Sequence, residues 1–176
     1  MGAPVPAKVV DHFTDQRWRL NNLYWITDKS GTRVPFRLNW AQEELFDELH
    51  YLNLVLKARQ LGVSTEAESL VAHRILTRTH IRALSGADVE EQAGYLFRMV
   101  NRIYDHLPYF LQTERLTFVK NRESSYANGS FLKTAWGKST RGALQSVTGQ
   151  EGSKGALGRG QTFACVHISE LATWDN

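Results

Sequence analysis

Lys57-Ala58-Arg59-Gln60-Leu61-Gly62-Val63-Ser64-Thr65 brings a cation, a glycine and two hydroxyls to one junction. An apolar segment, Leu54-Val55-Leu56, precedes it and a helix-like segment follows. That setting suits phosphate binding, because backbone N–H groups at a helix N-terminus point at an anion and the helix dipole favours its charge. In the pattern G-x-x-x-x-G-K-[ST], Gly62 takes the second glycine and Ser64, with Thr65 beside it, the hydroxyl that ligates magnesium. Val63 stands in the lysine slot and Lys57 in that of the first glycine. The cation for the β- and γ-phosphates has thus moved to the front of the loop. The same residues also fit an ordinary strand-to-helix turn hinged at Gly62.

Two further positions carry compatible chemistry. Thr162 to Glu170 reads as a buried strand ending in an acid. Phosphate-loop ATPases end the matching strand in Asp-Glu, the first holding the magnesium shell and the second orienting the attacking water. Glu170 fits the water-orienting role, and Ser169 stands in the place of the metal-shell acid, where a hydroxyl can hold a metal-bound water but adds no charge. Glu170 also reads as an acid in the first turn of a helix, favoured by the dipole. Gln42 has two readings of its own. Asn39 and Gln42 fit a reciprocal capping box, or the Gln42 amide reads an adenine edge with Phe36 or Trp40 near the base.

The elements that must position these groups alternate between strand and helix. A lead helix and a hairpin around Lys29-Ser30-Gly31 fill residues 1–38, and 40–50 read as a helix. A loop-bearing strand is expected at 52–57. Ala67, Leu70, Val71 and Ile75 recur at helical spacing between Ser64 and Arg78. A strand follows from His80 to Leu84. Asp88 and Glu91 fit a capping box ahead of a long amphipathic helix marked by Val89, Ala93, Leu96, Val100, Ile103 and Leu107. Strands are expected at Arg115 to Val119 and Ser130 to Trp136. The class is α/β, with a mainly parallel sheet and helices on both faces. The 176 residues suffice for one core.

Gly137 to Gln161 mixes seven glycines with Lys138, Arg141, Lys154 and Arg159, a composition that fits a solvated excursion or a loop touching DNA phosphate. The net charge of +3 permits contact with nucleic acid. No apolar run approaches a membrane span, no secretory signal is read at the start, and Cys165 is the single cysteine, suited to packing in a reducing compartment. The histidines show no paired helical spacing for zinc, no Gly-x-Ser-x-Gly elbow occurs, and His167 reads as a satisfied imidazole inside the last strand.

The order of these features resembles the large terminase subunit of tailed bacteriophages. Phe36, Trp40 and Gln42, the Lys57 to Gly62 loop, and Gly158-Arg159-Gly160 ahead of His167-Ile168-Ser169-Glu170 carry the likeness. Leu20 to Tyr24 leading through Lys29-Ser30-Gly31 to Phe36, and Tyr104-Asp105-His106-Leu107-Pro108 closing a long helix, add to it. The resemblance implies a P-loop ATPase domain over 39–176 behind an N-terminal extension over 1–38. ATP would contact Trp40, Gln42, Lys57, Arg59, Gln60, Gly62, Ser64 and Thr65. Magnesium would lie on Ser64 and, through water, Ser169, and Glu170 would align the attacking water. Arg159 or Arg59 would stabilise the transferring phosphoryl group. The implied partners are double-stranded DNA, a portal protein, a small terminase subunit and further copies in a ring, without a membrane, in the cytoplasm of the infected bacterial host. The family continues past a strand of the Glu170 type into further ATPase elements and a nuclease domain, so the chain reads as an incomplete motor domain lacking the nuclease. A helicase-like or decayed phosphate-loop module that binds nucleotide or DNA without turnover is the alternative.

Overall fold

The computed structural model describes residues 12–28, 30–56, 61–137 and 162–169. Helix α1 (Gln16–Leu23) starts at Asp15, whose carboxylate accepts from the N–H groups of Arg17 and Trp18. A hairpin of β1 (Trp25–Thr27) and β2 (Arg33–Pro35) follows. The Asp28 carboxylate organises its turn by accepting from Ser30 and Thr32 N–H groups at 2.9 and 2.8 Å. Helix α2 spans Trp40–Asp47. After it, residues 49–56 form no strand. Leu52, Leu54 and Leu56 are exposed at 74, 89 and 102%. The strand expected at 52–57 is therefore not formed over its described part. A strand needs a ladder partner for its backbone groups, and no described strand lies beside this segment.

Helix α3 (Val63–Thr77) leads by a short connection into β3 (Arg82–Ala87), and α4 (Glu90–His106) follows. After a 3-10 turn at Tyr109–Leu111 come β4 (Arg115–Val119), β5 (Glu123–Tyr126), β6 (Phe131–Trp136) and β7 (Cys165–Ile168). The five strands order β4-β5-β6-β3-β7. β3 runs parallel to both neighbours, while β4–β5 and β5–β6 are antiparallel. The sheet is evenly mixed rather than mainly parallel. The short connections between β4, β5 and β6 allow only antiparallel neighbours, since a parallel pair needs a long crossover. β5, absent from the sequence reading, is short and polar, with only Ser124 and Tyr126 buried.

Both long helices lie on one face of the sheet. Ala83 of β3 packs with Val71 and Ala72 of α3 and Phe97 and Val100 of α4, and Ala87 packs with Ala93 and Leu96. The opposite face carries Leu84, Ala135 and Phe163, and no helix among the described residues packs on it. Helices on both faces are thus not seen in the described part. The α4 stripe is buried as expected from Ala93 to Leu107, with Val89 exposed. The capping box of Asp88 and Glu91 does not form: the N-cap is Val89, held extended, with no side-chain cap. Leu20, Tyr24 and Phe36 share the main core with Val71 and Ile75, so the N-terminal elements are built into it. Tyr24 Oη and His73 Nδ1 share a hydrogen bond of 2.8 Å, fastening that layer to α3. Burial, then nearby arginines, push the His73 imidazole down to about 3, which keeps the ring neutral.

Candidate functional site

The N-terminus of α3 is built from both sides of the chain. Gly62 is its N-cap in the left-handed conformation, φ +77°, and no side chain caps the helix there. Glycine enters that region without the Cβ clash other residues meet. The first helical bond runs from Glu66 N–H to Gly62 O at 3.0 Å. The N–H groups ahead of Glu66 belong to the four that a helix cannot satisfy internally.

Asn39 and Gln42 form the full capping box expected of them. Gln42 Oε1 accepts from Asn39 N–H at 2.9 Å, and Gln42 Nε2 donates to Gly62 O at 2.8 Å. Asn39 Nδ2 also donates to Leu61 O. The buried Gln42 amide thus fixes the glycine turn from twenty residues away, and both its polar atoms are engaged. Trp40 stands 74% exposed beside it.

Glu66, in the first turn of α3, is wholly buried, and neither carboxylate oxygen has a hydrogen-bond partner among the described residues. Burial, with the Glu43 charge second, pushes its carboxyl up to about 7. Two residues on, Glu68 is also fully buried but doubly paired. Ser85 Oγ donates to Oε2 at 2.9 Å, and His167 Nδ1 meets Oε1 at 2.7 Å. Ser85 and His167 are cross-strand partners on β3 and β7. One carboxylate therefore ties α3 to two parallel strands.

That tie fixes the relation of Ser64 to Ser169. Asn128 donates to the Ile75 and Arg78 carbonyls at the C-terminal end of α3 and accepts from His80 N–H ahead of β3, while Ser85 farther along β3 donates to Glu68 nearer the start of α3, so the helix runs antiparallel to the strand. Ser64 lies four residues before Glu68 on the same helix face, about 6 Å along the axis. Ser169 lies two residues beyond His167 on the same strand face, about 6.6 Å along. Both steps lead to the C-terminal end of β3 and β7. Ser169 N–H donates to Gly86 O at 2.9 Å, and the residue is buried. The helix N-terminus and the end of β7 thus share one edge of the molecule. Among the described residues no three of His, Cys, Asp and Glu group as a metal site.

Lys57, Arg59, Gln60, Arg159 and Glu170 lie outside the described residues, as do Lys138, Arg141 and Lys154. Gln42, Trp40, Gly62, Ser64, Thr65 and Ser169 are described: Gln42 and Gly62 are bonded at the N-terminus of α3, where Ser64 follows, Ser169 ends β7, and Thr65 instead lines a small cleft with Ile26, Thr27, Tyr95, Met99 and Arg102. Sequence reasoning missed Glu68 and Ser85, and it gave His167 a satisfied partner without naming one. The signal was present: Glu68 shares a helical face with Val71, Ala72 and Ile75, all buried. Cys165 packs against the core, and burial pushes its thiol up. No described helix is long and apolar enough to cross a membrane. Compared with known proteins, the chain matches no protein family and no curated sequence.

Proposed function

We propose that this chain is an ATP-binding and ATP-hydrolysing domain of the kind that powers DNA packaging in large terminases. One observation carries the reading: an uncapped helix N-terminus, entered through a left-handed glycine, sits at the same sheet edge as the end of β7. An anion at that terminus meets the N–H groups that the helix cannot satisfy internally and the positive end of the dipole. Ser64 supplies a hydroxyl in the first turn, and Lys57 precedes the loop in sequence. The residues suit a triphosphate. Magnesium would be held by Ser64, with Ser169 through water, and would neutralise charge on the phosphate oxygens. Neither serine carries charge, so affinity for the ion is expected to be weaker than at an Asp-bearing site.

In this reading Gln42 acts by holding the Gly62 carbonyl, and Glu170, next in sequence after Ser169, orients the attacking water. Arg59 or Arg159 offers positive charge to the transferring phosphoryl group. Double-stranded DNA, a portal, a small terminase subunit and a ring of copies in the host cytoplasm belong to the same proposal through the resemblance. A nucleotide-binding module without turnover is a second reading, favoured by the uncharged Ser169 and by the missing strand ahead of the loop. Equilibrium binding of ATP to the chain, with and without magnesium, followed by phosphate release, tests both. Magnesium-dependent binding with turnover supports the ATPase. Binding without turnover supports the second reading. Absence of binding at millimolar ATP overturns both.

A further inference from the structure

We propose that Glu68 and His167 are positioning residues that couple the helix behind the phosphate loop to the strand leading into Ser169 and Glu170, so that phosphate bound at one is felt at the other. The proposal rests on the phosphate-binding reading of the α3 N-terminus. It starts from the energetic oddity of Glu68. A carboxylate with no exposed surface is costly to bury even when paired, and an apolar side chain of similar size packs the same space as well or better. Packing alone therefore does not account for a glutamate here.

The two bonds of Glu68 do something a leucine cannot. They are directional, and they join three elements at one level of the sheet: α3, β3 through Ser85, and β7 through His167. Glu68 lies one helical turn behind Ser64, and His167 lies two residues before Ser169. A shift of the α3 N-terminus on binding an anion must carry Glu68 with it, because the helix is a stiff hydrogen-bonded unit. Glu68 then either drags the imidazole or stretches a 2.7 Å bond. With its carboxylate on Nδ1, the ring carries its proton there and leaves Nε2 as the other functional nitrogen. Nε2 bonds to no described residue and is not among the buried atoms left unpaired.

Histidine-selective 15N NMR of the 176-residue chain, with ATP and magnesium as the probe, tests this. The wild type should show His167 protonated at Nδ1. Saturation with magnesium and ATP should shift its ring resonances while those of His106, at the far end of α4, stay in place. Glu68→Leu removes both hydrogen bonds and keeps the volume. In it His167 should move to the Nε2–H tautomer and lose the nucleotide-induced shift, with ATP still bound within about threefold of the wild-type affinity. A purely structural pair would leave the His167 response to nucleotide absent in the wild type or intact in Glu68→Leu, and either result overturns the coupling. Should Glu68→Leu fail to fold, the wild-type shift alone decides. A wild-type chain that binds no ATP overturns the phosphate-site reading and the coupling with it.

Discussion

Gly62→Ala probes the turn on which the whole site depends. The backbone there sits at φ +77°, a region that costs a residue with a Cβ about 1–2 kcal/mol. The new Cβ would also come within 2.8 Å of Gln42 Nε2, closer than real contacts allow. Gln42 has little room to retreat, since it is 3% exposed and its Oε1 is held by Asn39 N–H. The bond from Nε2 to Gly62 O is then lost, and a buried amide left unsatisfied costs about 1–3 kcal/mol. Together the two effects predict a loss of roughly 2–5 kcal/mol. Urea unfolding followed by tryptophan fluorescence reads this directly. Gln42→Ala in the same background should partly relieve the clash, so the double variant should be less destabilised than the sum of the singles, by about 1 kcal/mol. A Gly62→Ala loss below about 0.5 kcal/mol, or strict additivity, would refute the proposed packing of the amide against the turn.

Glu66 gives a pH dependence with a definite sign. Its carboxyl is raised from the ordinary 4.5 to about 7 in the folded chain, so the folded state holds a proton that the unfolded chain releases. The associated stability is present below pH 4.5 and is lost as pH rises through 7, by on the order of 2–3 kcal/mol. Glu66→Gln should flatten the difference between urea midpoints at pH 5 and pH 8, and an unchanged difference would assign it elsewhere. Lys57→Ala should weaken ATP binding by roughly 2–4 kcal/mol while Val63→Ala does little, as equilibrium titration would show. In an active parent protein carrying this domain, Glu170→Gln should leave ATP binding in place and lower phosphate release by at least about 10²-fold. Turnover persisting in that variant would remove Glu170 from the reaction.

What could be read from the sequence is what is decided within a few residues. The Asn39 and Gln42 capping box, the hairpin around Ser30-Gly31, α3 and the buried stripe of α4 all rest on bonds or repeats that span one or two turns of chain. Gly62 before Val63 already marked a turn into a helix. Tertiary structure decided the rest. The sequence alone could not show that 52–56 finds no ladder partner among the described residues, because an apolar run becomes a strand only when a neighbour takes up its backbone groups. Nor could it show β5, whose buried Ser124 and Tyr126 give no hydrophobic alternation, or the mixed pairing that short connections impose. Gln42 found its second partner at Gly62, and Glu68 found His167 ninety-nine positions away. Such contacts depend on how helices dock across the sheet, and the docking is set by the packing of many side chains at once rather than by any local pattern. Gly62, Ser64 and Ser169 could be picked out singly from the sequence, while Glu68 and Ser85 could not; that the α3 N-terminus and the end of β7 lie at one edge follows from α3 running antiparallel to two strands that themselves pair in parallel.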